Sequence, residues 1–424
     1  MDTTPTHALP RGYKWELVFL LCLAFFFHQG DRAIFGVVLS QIKVDLHLSD
    51  AQLGLVGSVL FLTLALMMPV AGYVGDRFKK NRVITSCLIF WSSATLFTGC
   101  VQGIVGLVLL RSVATAGGEA FYAPAAYSLM AKFHHRTRAL ALSLHQSALY
   151  IGVMTSGFLG GWIAQQWGWR SAFYVFGGCG ILLGIVFMFR LKDAPEAATA
   201  QSATRPPLGR EMLDALGVIF RVPTAMLLLT GFIAIVFVNN AFVVWAPEFL
   251  REKQDLPLAL AGGYSMFWHH LPALVGITIG GPLSDRWVLK RNTARIELQA
   301  GAMTLGVPSI MLMGLAPNLM MACVGLAAFG FFRGLYESNT HAALFDVIPP
   351  HRRGSAVAVT VMIAFLLGST SPWLLGRCRE WWGNEHGLSY GFASLSFAYL
   401  IGAGAVTLAR ARFFQRDRIQ ETAL

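Results

Sequence analysis

Twelve apolar runs limit what this chain can become. Each is close to the twenty or so residues a helix needs to cross the roughly 30 Å hydrocarbon core of a bilayer. They lie near 16–39, 52–75, 83–102, 104–130, 138–163 and 171–191, then near 222–247, 258–284, 295–315, 318–346, 355–376 and 388–410. In lipid every backbone N–H and C=O must be satisfied within the protein, so runs of this length predict α-helices. Of the 424 residues, 55% are hydrophobic and 13% charged, against roughly 25% charged in a soluble domain. This excludes a soluble multidomain protein, and it excludes disorder, which needs low hydrophobicity and high charge. The expected fold class is an all-α membrane protein with 12 transmembrane helices.

The 33 Lys and Arg outnumber 22 Asp and Glu, a net charge of +11. In a soluble chain that balance points to nucleic acid. Here the charges sort by loop instead, and no nucleic-acid partner is expected. Place both termini and the loops after spans 2, 4, 6, 8 and 10 on one side. The opposite side then holds Lys43, Arg170, Arg251, Lys253, Arg377 and Arg379, while Arg32, Arg111 and Arg333 fall inside spans. The positive-inside rule puts the cation-rich side, with both termini, in the cytoplasm. The expected location is the cell (inner) membrane, multi-pass, with no cleavable signal pattern ahead of the first span. The six cysteines form no CxxC pair, so neither a disulfide framework nor a metal site is expected.

The spans repeat six and six. GYVGDRFKKNR from Gly72 after span 2 is matched by GPLSDRWVLKR from Gly281 after span 8, and HRTRALA from His135 by HRRGSAVA from His351. The offsets, 209 and 216 residues, nearly agree. Both halves run the same way, so the repeat is parallel and implies two pseudo-symmetric six-helix bundles, an architecture of secondary transporters. The expected domains are 1–191 and 222–424. Between them lies a cytoplasmic linker, 192–221, rich in Ala, Ser, Thr and Pro, as flexible linkers are.

These segments resemble the major facilitator superfamily over the whole chain. Gly72, Asp76 and Arg77, with Lys79, Lys80 and Arg82, resemble its loop 2–3 signature, although Lys79 stands where a second Gly is usual. Trp167–Phe173, WGWRSAF, resembles its element entering span 6. The resemblance implies the major facilitator fold and a monomer. It also implies a gating latch at Gly72, Asp76 and Arg77, with a second copy at Asp285 and Arg286.

Charges inside spans are expensive, roughly 2.5–3.5 kcal/mol each even on insertion scales, and face the protein interior. Here they are Asp31, Arg32, Arg111, Glu119, Arg333 and Glu337. Span 1 carries His28, Gln29, Asp31 and Arg32. Asp31 and Arg32 either neutralise each other or divide the work, Arg32 binding a substrate anion with its planar fork and Asp31 exchanging a proton. In span 4, Arg111, Thr115, Glu119 and Tyr122 step by four, four and three along one helical stripe, and Glu119 is either a proton carrier or permanently satisfied by an Arg. In span 10, Arg333 and Glu337 at i, i+4 predict an interior ion pair. Gln146, Tyr150, Asn239 and Trp373 are candidate pocket residues beside His28, Gln29 and Tyr122. His145 is read as a satisfied interior histidine.

Asp-Arg in span 1 with Gly-Glu-Ala in span 4 resembles the anion:cation symporter and spinster-like families. In both, the acids, here Asp31 and Glu119, are tied to proton coupling and the Arg, here Arg32, to the substrate anion. One departure leaves the role of Arg111 open: it lies eight residues before Glu119, where those families use seven, and on an ideal helix one residue turns it by about 100°. The expected function is secondary active transport of a small organic anion, a sugar acid or other carboxylate, with protons. The alternative is a lysolipid or amphiphile transporter or exporter. Without HExxH, GxSxG, CxxC or GxxxxGK[ST], enzyme and ATP-pump chemistry has no motif to stand on, and no cofactor is expected.

Overall fold

The computed structural model describes residues 12–134, 136–193 and 208–419. Ten helical stretches are long and apolar enough to cross a membrane. Lys80–Thr98 and Leu258–Val288, long helices bearing charged or histidine side chains, complete twelve. We number them α1 (Tyr13–Val37), α2 (Asp50–Arg77), α3 (Lys80–Thr98), α4 (Ile104–Phe133), α5 (Arg138–Trp167) and α6 (Trp169–Arg190), then α7 (Pro223–Gln254), α8 (Leu258–Val288), α9 (Ala294–Leu315), α10 (Leu319–Phe345), α11 (Pro350–Asn384) and α12 (His386–Asp417). A short helix, Leu39–Asp45, follows α1.

Local chemistry sets the boundaries. Ser49 and Gln52 form a capping box at the start of α2, satisfying two of the backbone donors a helix start leaves open. Asn318 caps α10 by accepting from the Met321 N–H at 3.0 Å. α5 turns into α6 through Gly168 at φ 82°, a conformation open to Gly without strain. Trp169 and Arg170 then reach back to Asp45, and Arg170 also donates to the Val101 carbonyl at 3.1 Å. The WGWRSAF element is thus a tie across one end of the first half. The Arg170 hydrogen bond holds the Asp45 carboxyl below its ordinary range.

Several spans differ from the sequence expectation. α7 passes Pro247 and stops at Gln254, where Asp255 adopts a left-handed conformation. α11 extends to the kink at Gly383, φ 76°. α4 is not one continuous α-helix: Val108–Ala114 forms a π-helical turn, and the helix breaks again between Glu119 and Tyr122. The linker also departs from its composition. Residues 194–207 lie outside the described residues, but Leu208–Arg221 is a helix with Ala215 and Ile219 buried. Packing of that apolar edge holds a helix where composition pointed to a linker.

The halves meet at the end away from the termini. There α1 packs on α7, α5 on α8, and α2 on α11. Gly157 and Gly262 face each other so closely that a Cβ on either would strike the other's carbonyl. Across the α2–α11 seam the Trp373 N–H donates to Ser58 Oγ at 3.0 Å, and Glu380 accepts from the Ala51 N–H at 3.0 Å.

Candidate functional site

α1, α3 and α4 bring the interior charges of the first half together. Asp31 and Arg32 do not neutralise each other. Arg32 Nε donates to Glu119 Oε2 at 2.8 Å, with Glu119 fully buried and the Arg32 side chain 17% exposed. Asp31 instead accepts from Thr95 Oγ1 on α3 at 3.0 Å, and its backbone carbonyl accepts from Arg111 Nη2 at 2.6 Å. His28 accepts from Gln29 Nε2 at Nδ1 (2.9 Å) and so donates from Nε2 to the Glu119 carbonyl at 3.3 Å. Asp31 Oδ1, Glu119 Oε1 and Arg111 Nε and Nη1 are buried with no protein partner among the described residues.

The π-helical turn explains how Arg111 arrives there. It takes up one residue more per hydrogen-bonded turn than an α-helix, which absorbs the eight-residue spacing between Arg111 and Glu119. Thr115 Oγ1 closes the widened turn on the Leu110 carbonyl, five residues back, at 2.9 Å. Arg111 stays in the interior, bound to α1, and its side chain lies over the Phe35 ring.

The other half carries a second polar cluster. Arg333 Nε donates to Glu337 Oε1 at 2.8 Å, and Arg333 Nη1 donates to His269 Nε2 at 2.8 Å. Tyr150, from α5 of the first half, comes within 6.3 Å of the His270 ring. Tyr150 is buried, and Asn239 Oδ1 is buried without a partner among the described residues.

Three candidate pocket residues sit elsewhere. Tyr122 is fully buried; its hydroxyl donates to the Leu21 carbonyl at 2.6 Å and accepts from His145 Nε2 at 2.9 Å. It ties α4 to α1 and α5 rather than presenting a hydroxyl, because the break after Glu119 turns it off the stripe. Gln146 is exposed and accepts from Tyr127. Trp373 contributes its backbone to the α2–α11 seam, with its ring exposed.

At the termini end, Gly72 is exposed, and the side chains of Asp76 and Arg77 lie outside what the structure describes. The second copy lies within the described residues. Asp285 accepts from Arg295 at 3.1 Å, and Arg295 also donates to Asp346 at 3.0 Å, so one arginine joins α8, α9 and α10 within one half. Arg286 is exposed. Sequence reading missed Arg295, and it missed Asp50, Glu248, Glu252 and Arg379. Arg379 donates to Asp50 at 2.9 Å, contacts Glu252 and lies 3.8 Å from Glu248. The signal was Glu248 and Arg251 at i, i+3, which continues α7 past its expected end.

The Major Facilitator Superfamily profile matches residues 21–372. Protein spinster homolog 1 of Rattus norvegicus is 28% identical over 441 residues, covering 97% of this chain and 83% of the relative. An MFS-type efflux pump of Mycolicibacterium smegmatis is 26% identical over 426 residues, covering 98% and 97%. Among solved structures, a bacterial homolog of the human lysosomal transporter Spinster, inward-facing and unoccupied, superposes with a TM-score of 0.82 at 21% identity, covering 97% of this chain and 100% of the other. A D-xylose–proton symporter superposes with a TM-score of 0.73 at 15% identity, covering 95% and 98%. With the fold, the span pattern and the profile in agreement, the chain belongs to the major facilitator superfamily, a family of membrane transporters rather than enzymes, and within it resembles the spinster-like branch.

Proposed function

We propose that this chain carries a small organic anion, a sugar acid or another carboxylate, together with protons by alternating access. The observation that carries the reading is the Arg32–Glu119 ion pair. A guanidinium bound to a buried carboxylate cannot also offer its full fork to a substrate. Protonating Glu119 removes the charge that holds Arg32 and frees it to take the substrate carboxylate bidentately. Proton and anion then enter together, and the loaded site is nearer neutrality than a site holding only one of them, which permits reorientation across a low-dielectric interior. Asp31 is a second proton site, placed between Thr95 and Arg111. The moving bodies are residues 1–191 and 222–424, in a monomer with both termini cytoplasmic, so the closed seam faces outward.

The test is uptake into proteoliposomes under an imposed pH gradient. Arg32→Ala abolishes binding. Glu119→Gln retains exchange of internal for external substrate and loses accumulation. Continued accumulation by Glu119→Gln against a gradient overturns the coupling. A second reading, transport of a lysolipid or amphiphile, is supported by the likeness to spinster homologs over 97% of the chain. A ligand-stability screen separates them: stabilisation by lysolipids and not by sugar acids selects the second.

A further inference from the structure

In each half a peripheral helix pair is packed through glycines. In the first half, Gly177, Gly180 and Gly184 of α6 bring that helix directly against Leu96, Ser92 and Ile89 of α3. In the second half, α9 and α12 meet where Gly314 lies against the Ser389 and Ala393 backbone, Gly306 against Tyr399 and Gly402 against Met303, while at the outer edge Gly404 faces open space. That edge is a groove of about 610 Å³ lined by Thr304, Val307, Pro308, Leu400, Gly404 and Ala411 among others. Thr304 Oγ1 bonds its own helix at the Ala300 carbonyl, so apart from the Thr407 hydroxyl the lining is apolar. From Leu400 to Ala411 the groove spans eleven residue steps, roughly 16 Å of helix, about half the hydrocarbon core and so the depth of one leaflet.

Its mouth at the termini end is cationic. Arg410 and Arg412 flank Ala411 on a π-helical turn, Ala409–Phe413. Arg410 donates to Glu297 at 2.9 Å, and Arg291 lies 4.0 Å from the same carboxylate, so two arginines share one acid there, with Arg412 two residues along α12 as a further cation. Arg291 is 76% exposed, and Arg412 is also exposed.

We propose that the outer α9–α12 groove binds one anionic phospholipid, its acyl chain along Leu400–Ala411 and its phosphate between Arg412 and Arg291. The apolar lining takes the chain, and the excess positive charge at the interface selects a charged headgroup over a zwitterionic one.

The test uses the full-length protein in detergent with phosphatidylglycerol or phosphatidylcholine of the same acyl chains, read by native mass spectrometry and thermal unfolding. Wild type retains phosphatidylglycerol at least several-fold better and unfolds at higher temperature with it. Gly404→Phe, which fills open space without meeting backbone, loses both effects. The double variant Arg291→Gln, Arg412→Gln still retains lipid but no longer distinguishes the headgroups. Equal retention of the two lipids by wild type, or undiminished retention by Gly404→Phe, overturns the proposal. So does dimerisation of wild type that Gly404→Phe abolishes, which would make the groove a contact between copies of this chain.

Discussion

Arg379 on α11 donates to Asp50 at the first turn of α2 at 2.9 Å, and both side chains are almost fully buried. This bond crosses between the halves at the end where they close, beside the Ser58–Trp373 contact. Asp50 also receives Lys43 at 2.8 Å, so it keeps a partner when Arg379 is removed. Arg379 also contacts Glu252 on α7 of its own half, so the part of the loss in Arg379→Ala that bears on closure is one charge-assisted hydrogen bond, about 1.5–3 kcal/mol. That shifts the closed-to-open equilibrium at this end by tenfold or more. Maleimide labelling of Ser58→Cys, in a background without the six native cysteines, is expected to speed up accordingly. An unchanged rate would mean that packing alone holds the seam.

Packing makes a separate contribution, read at Gly157. A side chain here strikes the Gly262 carbonyl of the opposite half only while the seam is shut. Gly157→Val is expected to leave each half folded but drive them apart at this end. Spin labels on the loops after α1 and α7 should report a longer distance, with wild-type helicity. A wild-type distance would show that the backbones shift to accommodate the valine.

The π-helical turn predicts an effect that no point substitution produces. Val113 lies in it and is 42% exposed. Deleting Val113 removes the extra residue and returns the segment to α-helix at a seven-residue spacing, which keeps Arg111 turned towards Asp31. Transport is expected to stay within about threefold of wild type, whereas an alanine inserted after Val113, which the turn does not also absorb, swings Arg111 by about 100° and lowers transport at least tenfold. Measured uptake decides this; an inactive deletion at wild-type expression would mean that the turn itself is needed.

The span pattern, the repeat and the six interior charges were legible because a bilayer penalises charge and the 3.6-residue period exposes shared faces. Which charges pair was not legible. Asp31 and Arg32 are neighbours in sequence but diverge around α1, and their partners, Thr95 and Glu119, come from α3 and α4. Spacing within one helix predicted Arg333–Glu337 correctly, whereas contacts between helices depend on rotations that period alone does not set. The stripe ending at Tyr122 failed for the same reason: it assumed an unbroken helix through a segment with two interruptions.

Tyr122 offers the sharpest separation between the sequence expectation and the structure. As a pocket residue it would hydrogen-bond substrate, and Tyr122→Phe would weaken binding without affecting the fold. In the structure its hydroxyl joins the Leu21 carbonyl to His145 Nε2 with no exposed surface, and the ring stacks with Phe25 and His145. Phenylalanine keeps the ring contacts and leaves a buried acceptor and a buried donor unpaired, a loss of about 1–3 kcal/mol. Tyr122→Phe should therefore lower the unfolding temperature by several degrees while the Kd for whichever ligand the stability screen identifies stays within twofold of wild type. Weaker binding at unchanged stability would return Tyr122 to the pocket.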